Sequence, residues 1–579
     1  LEVQMNNPVS RFAYSSADLG IKRSQFPRSQ DHKTTLSAGL LYPLLVDEVL
    51  PGDTYSVDMS ALVRMSTPIH PVMDNCYLDT YWFFVPNRIV WDHWKEFMGE
   101  RNPDEYADPV EYSVPMLTTN TWPDAPTARV PAKSLADYLG IPAGTIPKEY
   151  NALPVRGFCK IYNEWFRDQN LQAPIDVPTG DANYQYATTI GDFWDNNNSV
   201  SHDSYVINCA RGGDLPPVAK YHDYFTSALR EPQKGNPVPI PLNGFAPVYG
   251  TSLLVNDFEL TQIPVPTKIV NSNGANVGNS ELGTKAGNLI STPVTGTQTG
   301  TGAYIGNTFA DLGASAGVGV YSTISDLRYA FQLQKFLEAD NRGGTRYREI
   351  LKQHFNVTSP DASQQIPEFL GGKRIQINMS QVLQTSSTDD TSPQGNTAAY
   401  SLTTEKYSAF TKSFTEHGFI FCVGCIRTDH TYSQGIEKMF FRKNKFDYYF
   451  PEFANISEQP IYNKELYNSS NADTIDWELA DEIFGYQEAW AEYRYKPNRI
   501  SGEFRPTYES PLDIWHYGDF YESMPFLSDQ WIAETRANID RTLAVSSDTA
   551  DQFICDFYFK MNTTRAMPLY SIPGLADHH

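Results

Sequence analysis

A mainly β protein built on a barrel or sandwich is predicted by three features of the sequence. Residues 54–65 alternate strictly: Tyr55, Val57, Met59, Ala61, Val63 and Met65 share one face, and Thr54, Ser56, Asp58, Ser60 and Arg64 lie mostly on the other. That is the period of a strand with one buried side. Cys76–Pro86 (CYLDTYWFFVP) carries large apolar or aromatic groups on both faces, as a strand packed inside a sandwich or barrel does. Composition agrees, because 35 Tyr, 32 Phe and 10 Trp accompany 39 Pro and 37 Gly, which joins large side chains by many turns.

The remaining elements follow in chain order. Ser134 and Gly140 bracket a short SLADYL helix with a start cap and a stop. Phe158, Ile161, Tyr162, Trp165 and Phe166 have the i, i+3, i+4, i+7, i+8 spacing of a helix with one broad apolar side. Segments 324–340 and 345–355 read as a helical pair broken at Arg342-Gly343-Gly344. Gly418–Arg427 (GFIFCVGCIR) and Gln552–Asn562 are the clearest later strands, and in the second Phe553, Cys555, Phe557, Phe559 and Met561 share a face. Strands near both chain ends suit a Greek-key barrel with non-local pairing.

One segment departs from this pattern. Within 245–321, eleven Gly stand between Asn271 and Val320 among many Thr, Ser and Asn, with Lys285 the only basic residue there. Such a stretch cannot bury enough apolar area to order itself alone. It reads either as a flexible surface loop or as an exposed insertion whose copies from neighbouring subunits support one another.

Composition and motifs narrow the function classes. No apolar run approaches the ~20 residues that cross a bilayer, and LEVQMNNPVSRFAYSS lacks the apolar segment of a signal peptide, so a soluble, unsecreted chain is expected. Six cysteines, Cys76, Cys159, Cys209, Cys422, Cys425 and Cys555, are few for this length and suit buried free thiols in a reducing cytosol. Gly313-Ala314-Ser315-Ala316-Gly317 satisfies G-x-S-x-G, but lacks the strand before and helix after that a nucleophile elbow needs. Cys422, Cys425 and His430 have zinc-knuckle spacing, yet the fourth position is Gly435, and residues three apart on a strand face opposite sides. No dinucleotide fingerprint, P-loop or H-E-x-x-H is present. With 68 Asp and Glu, a glycosidase carboxylate pair can always be imagined, without specific support. No catalytic residue, metal ligand or cofactor is therefore assigned. A formal charge of −23 repels a polyanion, so any contact with nucleic acid is expected to be local.

Several runs carry a resemblance. His32–Gly39 (HKTTLSAG), Val46–Asn75 and Tyr81–Trp91 (YWFFVPNRIVW) resemble the opening of gokushovirus major capsid proteins, from small single-stranded DNA phages of the microvirus family. The likeness recurs in NEWFRDQNLQAP (Asn163–Pro174), KYHDYFTSAL (Lys220–Leu229), NRGGTRYREILKQHF (Asn341–Phe355), EAWAEYRYKPNRISG (Glu488–Gly502) and RAMPLYSIPGLADHH (Arg565–His579). It lapses in the central segment. The resemblance implies an eight-stranded antiparallel jelly roll with large helical and loop insertions, assembled into an icosahedral shell in the host cytoplasm and located in the virion. It divides the chain into an N-terminal arm (1–45), a single capsid domain (46–579) with the 245–321 insertion as a three-fold protrusion used in host attachment, and an extended C-terminal arm (563–579). It places the His578-His579 pair in a structural tail, although terminal histidines can bind metal adventitiously. The implied partners are further copies of the chain through pentamers, an internal scaffolding protein, a small basic DNA-binding protein, a pilot protein, circular single-stranded DNA and a host surface receptor, with no membrane insertion. The alternative from another class is an extracellular β-sandwich that binds or hydrolyses carbohydrate, which predicts an export signal and a monomer.

Two basic and aromatic clusters are candidate DNA contacts. KMFFRKNKFDYYF (Lys438–Phe450) supplies Arg442, Lys443, Lys445 and Tyr448, and EYRYKPNRISGEFR (Glu492–Arg505) supplies Arg494, Tyr495, Lys496, Arg499 and Arg505. Cations that meet phosphate beside rings that stack on bases are the elements of single-strand binding. The alternatives are a strand with one buried and one solvated face, or arginines paired with acidic neighbours across a subunit interface. The N-terminal Arg11, Lys22, Arg23, Arg28 and Lys33, set against Glu2, Asp18 and Asp31, form a weaker inner-surface candidate.

Overall fold

The alternating segment Thr54–Met65 forms a strand whose odd positions are all buried, and it lies at the centre of one of two facing sheets. The computed structural model describes residues 21–100, 110–119, 129–191, 204–239, 280–285, 288–293, 324–383, 385, 397–469 and 477–570. Eight strands make the core: β1, in two pieces (Arg23–Pro27 and Gln30–Leu36), β2 (Tyr42–Val49), β3 (Thr54–Met65), β4 (Cys76–Pro86), β5 (Glu368–Gln376), β6 (Thr403–Ser413), β7 (Gly418–Thr428) and β8 (Phe553–Ala566). One sheet has the order β1-β8-β3-β6 and the other β2-β7-β4-β5, with every pairing antiparallel. Strands consecutive in sequence mostly fall in opposite sheets, and the first pairs with the last. This is the strand order of a jelly roll. Long insertions occupy the β4–β5 and β7–β8 connections.

Side-chain alternation explains the packing between sheets. Trp82 on β4 lies 5.5 Å from Phe410 on β6 and 5.7 Å from Phe559 on β8, ring to ring. The opposite face of β4 is covered by the β4–β5 insertion, where Phe83 meets Trp165 at 5.4 Å and Tyr81 meets Phe166 at 5.2 Å. Those rings extend the apolar side of the helix Leu153–Ile161 through the π turn Tyr162–Phe166. The helix approaches so closely at Gly157 that an added Cβ would stand 3.0 Å from the Phe421 ring. Two-sided burial of β4 therefore has two causes, a sheet on one face and a helix on the other. A smaller core joins the two insertions, with Tyr224 and Phe225 from the first packing with Tyr432, Ile461, Phe484 and Trp531 from the second.

Other expected elements are present with modest differences. Ser134 caps Leu135–Tyr138, its hydroxyl accepting from the Asp137 N–H, and Gly140 follows at φ 104°. The first helix of the expected pair runs Ile324–Gly343 and the second Tyr347–Phe355, with the break carried by Gly344 at φ 92°. Parts of both segments assigned to terminal arms belong to barrel strands. Residues 23–45, assigned to an N-terminal arm, contain β1, which pairs with β8, and the start of β2. Thr563 and Thr564, assigned to the C-terminal arm, still pair with Tyr55 and Thr54 in β3. The polar sequence of an edge strand hides its pairing, because one face looks to water and the stabilising bonds are main-chain ones.

The chain divides into two compact units, Leu1–Gly235 with Leu337–His579, and Asn236–Phe336. The second contains an antiparallel hairpin of Ser280–Lys285 and Asn288–Pro293. The rest of the 245–321 segment, the Gly313–Gly317 motif, Arg11 and the His578-His579 pair lie outside the described residues. No helix among those described is long and apolar enough to cross a membrane.

Candidate nucleic-acid interface

The two basic and aromatic clusters lie about fifty residues apart in sequence, and a short parallel pairing of Thr431–Tyr432 with Asn498–Arg499 brings them together. They adopt brief 3-10 turns, at Lys438–Phe441, Lys445–Asp447, Ala491–Tyr493 and Gly502–Phe504. Apart from the two-residue pairing at Asn498–Arg499, the strand alternative does not describe them. Between them lies a cavity of about 630 Å³, lined by Tyr432, Phe440, Arg442, Tyr493, Tyr495 and Arg505 among others.

Most of the candidate cations already have partners within the chain. Arg442, nearly buried, donates to Glu492 at 2.9 Å and stacks on Tyr493 with its guanidinium carbon 4.5 Å from the ring centre. Arg494 pairs with Glu488. Lys496 and Arg499 share Glu437 at 2.9 and 3.0 Å, and the Lys496 hydrogen bond leads the effects that hold that carboxyl below its usual range. Arg505 donates to the Ser433 carbonyl at 3.0 Å. Lys443 and Lys445 are exposed and pair with no carboxylate among the described residues, while Tyr448 and Tyr495 are half exposed. The surface offers open rings and two ammonium groups without an ion pair, Lys445 lying 4.8 Å from the Phe446 ring centre, with the guanidinium charge largely neutralised. Arg23 and Arg28 of the N-terminal set are also engaged: Arg23 bonds the Gly52 carbonyl at 2.6 Å, and Arg28 forks onto Asp47 at 2.6 and 2.7 Å. Lys33 faces Asp556 at 3.5 Å on the surface.

The zinc-knuckle residues do not converge. Cys422 and Cys425 are fully buried in β7, where burial pushes both thiols up, Cys425 to about 12. All six cysteines are free and buried. His430 gives both ring nitrogens to carboxylates, Nδ1 to Asp519 and Nε2 to Glu534, each at 3.0 Å. Gly435, where a fourth ligand would stand, packs its Cα against the Glu465 carbonyl, and an added Cβ would be driven into that oxygen. Gly435→Ala is expected to destabilise the chain by about 1–3 kcal/mol through overpacking, read as a lower midpoint in chemical denaturation.

Two buried ionic clusters had no signal in the sequence. One joins His430, Asp519, Glu534 and Lys220, and the other joins Asp79, Arg374, Arg427 and Tyr221. Their members come from the barrel and both insertions, so neither spacing nor composition could reveal them.

Similarity to known proteins covers nearly the whole chain. The family described as capsid protein (F protein) matches residues 16–575. The capsid protein VP1 of Chlamydia phage 1 is 39% identical over 96% of both chains. The VP1 proteins of Bdellovibrio phage phiMH2K and Spiroplasma virus 4 are each 38% identical, over 95% and 96% of both chains respectively.

Proposed function

The chain belongs to the phage capsid F-protein family, and from that membership we propose that identical copies close into a small icosahedral shell around circular single-stranded DNA. Its role is structural, as a component of the virion that assembles with itself. The observation that carries the reading is the match of one family across barrel and insertions alike, residues 16–575, on a chain whose eight strands have jelly-roll order. Closure by repetition needs only self-complementary surfaces around symmetry axes. Exposed rings on the second insertion and at the C-terminal end, such as Phe440, Phe526 and Tyr570 at 69%, 58% and 81% exposure, supply apolar surface for such contacts.

The charge of −23 leaves packaged DNA to be neutralised by another component, and a small basic protein is the partner that suits this. A scaffolding protein and a pilot protein complete the assembly in this reading. Segment 245–321 serves as the three-fold protrusion that meets the host receptor. Direct DNA contact falls to Lys443 and Lys445 with the open rings of Tyr448 and Tyr495, a weak and local site.

The test is sedimentation of the purified chain, with electron microscopy of the fastest fraction and its nucleic-acid content read by absorbance. Closed shells, or pentamers that close when scaffolding protein is added, are expected. A Lys443→Gln, Lys445→Gln variant is expected to close normally while holding DNA less tightly. A chain that stays monomeric with scaffold present would overturn the assembly reading, and unchanged DNA retention in the variant would remove only the contact assignment.

A further inference from the structure

A second cavity, of about 870 Å³, is lined by residues of the β4–β5 insertion. Three of the sequence runs that stand out in the chain, Asn163–Pro174, Lys220–Leu229 and Asn341–Phe355, all contribute to its wall. Its ionisable lining is unusual for so acidic a protein. Arg167, Arg342, Arg346 and Lys352 face it against two carboxylates, Asp168 and Glu349.

Both carboxylates are occupied internally. Asp168 accepts the N–H groups of Asn170 and Leu171 at 2.9 and 3.0 Å. Glu349 accepts from Gln169 at 2.9 Å and from the Arg346 N–H at 3.1 Å. The cations retain capacity. Lys352 is exposed and has no ion-pair partner among the described residues. Arg167 uses Nη1 on the Gln172 carbonyl at 2.8 Å, while its buried Nε has no hydrogen-bond partner. Arg342 spends its Nε on Glu458 and leaves the remainder of a side chain 43% exposed. Arg346 gives Nη2 to the carbonyls of Asn163 and Arg167 at 2.9 and 3.0 Å and stands with Nη1 3.5 Å from Glu349, so its charge is fixed beside the cavity and partly offset, and the surplus rests on Lys352, Arg167 and Arg342. The amides of Gln353 and Asn356 add neutral donors at the wall.

We propose that this cavity is an anion site for a phosphate group, supplied either by the backbone of a nucleic acid or as free phosphate. Guanidinium forks and an ammonium around one concavity match the several acceptor oxygens of phosphate, and charge-assisted bonds of this kind strengthen where water is partly excluded. A cavity with a local surplus of positive charge attracts such a group even on an acidic protein, because the field of near charges outweighs screened distant ones.

The experiment follows thermal unfolding of the full chain during titration with sodium phosphate, with sodium chloride at matched ionic strength as the control, and separately with a short oligothymidylate. A saturable rise in midpoint with phosphate and none with chloride is expected. Lys352→Glu, at an exposed position, is expected to keep the unliganded midpoint and to weaken the response by at least about tenfold, while Lys352→Arg preserves it. A response to both ligands, or to the oligonucleotide alone, assigns the site to the DNA backbone; a response to phosphate alone assigns it to free phosphate. Equal effects of phosphate and chloride with none from the oligonucleotide, or a Lys352→Glu response equal to the parent's, would overturn the proposal. Neither result bears on shell assembly.

Discussion

Replacing His430 with leucine is expected to cost about 3–5 kcal/mol, the range for breaking a buried ion pair from one side. The imidazole lies just beyond β7 and is almost wholly enclosed, as are its two carboxylate partners, Asp519 and Glu534, both from the second insertion. Lys220, from the first insertion, faces Asp519 at 3.5 Å and lies 4.8 Å from the Trp531 ring. Two carboxylates and one ammonium balance only when the imidazole is protonated. Leucine leaves one buried negative charge uncompensated, and it leaves the Glu534 oxygen that His430 holds without its donor. Thr428 still donates to the other Glu534 oxygen at 3.0 Å, and Asn538 to Asp519 at 2.5 Å, so the loss is the charge together with the hydrogen bonds that His430 itself makes. Thermal and guanidinium unfolding measure it. A change below about 1 kcal/mol would show that His430 does not act as a charged partner of the two carboxylates.

The same cluster dictates a pH dependence. Burial works to lower the His430 pKa, but the charges of Asp519 and Glu534 outweigh it and raise it from 6.5 to about 10. A group raised on folding contributes its full stability below the unfolded value and loses it as pH climbs through the folded one. Stability is therefore expected to decline between about pH 7 and 10, and the variant lacking His430 to lose that slope. Asp519 works at the other limb: burial raises it, yet Lys220 and His430 together bring it well below 3.8. Its contribution is present above that value and disappears as pH falls.

Which strands were legible follows from which faces they bury. β3, β4, β7 and β8 announce themselves because each buries one alternating face or both, and all four are inner strands of the two sheets. The four edge strands, β1, β2, β5 and β6, went unread. In β5 the period is broken at Gly371-Gly372 by an irregularity between Phe369 and Gly371, and in β6 polar residues alternate on a solvated face. The candidate site was half legible. Clusters of Arg, Lys and Tyr are visible as composition, whereas the choice of Glu437 by both Lys496 and Arg499 depends on the pairing of Thr431–Tyr432 with Asn498–Arg499. Chain geometry decides which cations remain free, so a basic stretch overstates the charge it presents.

Asp79→Ala is expected to cost a similar amount, about 3–5 kcal/mol, for a reason that links the barrel to its first insertion. Asp79 is 2% exposed on the outward face of β4 and accepts from Arg427 at 2.6 Å, from Arg374 at 2.9 Å and from the Tyr221 hydroxyl at 2.8 Å. The two guanidinium groups also stand 4.1 and 4.2 Å from the Tyr221 ring, so one tyrosine is held by its hydroxyl and by both arginines. Burial raises the Asp79 carboxyl, but Arg427, Arg374 and Tyr221 outweigh it and hold it below its usual range. Alanine strands two positive charges, of which Arg427 is the more enclosed at 13% side-chain exposure. Tyr221→Phe removes a single donor and keeps the ring between the cations, so about 0.5–1.5 kcal/mol is expected. The two variants separate the Asp79 charge from the Tyr221 hydroxyl as the anchor of the 87–367 insertion on β4. If charge dominates, Asp79→Ala alone should expose the Lys220–Leu229 region to limited proteolysis while the rest of the barrel stays protected. Equal protection in both variants would place the anchor in the Phe83, Trp165 and Phe166 rings instead.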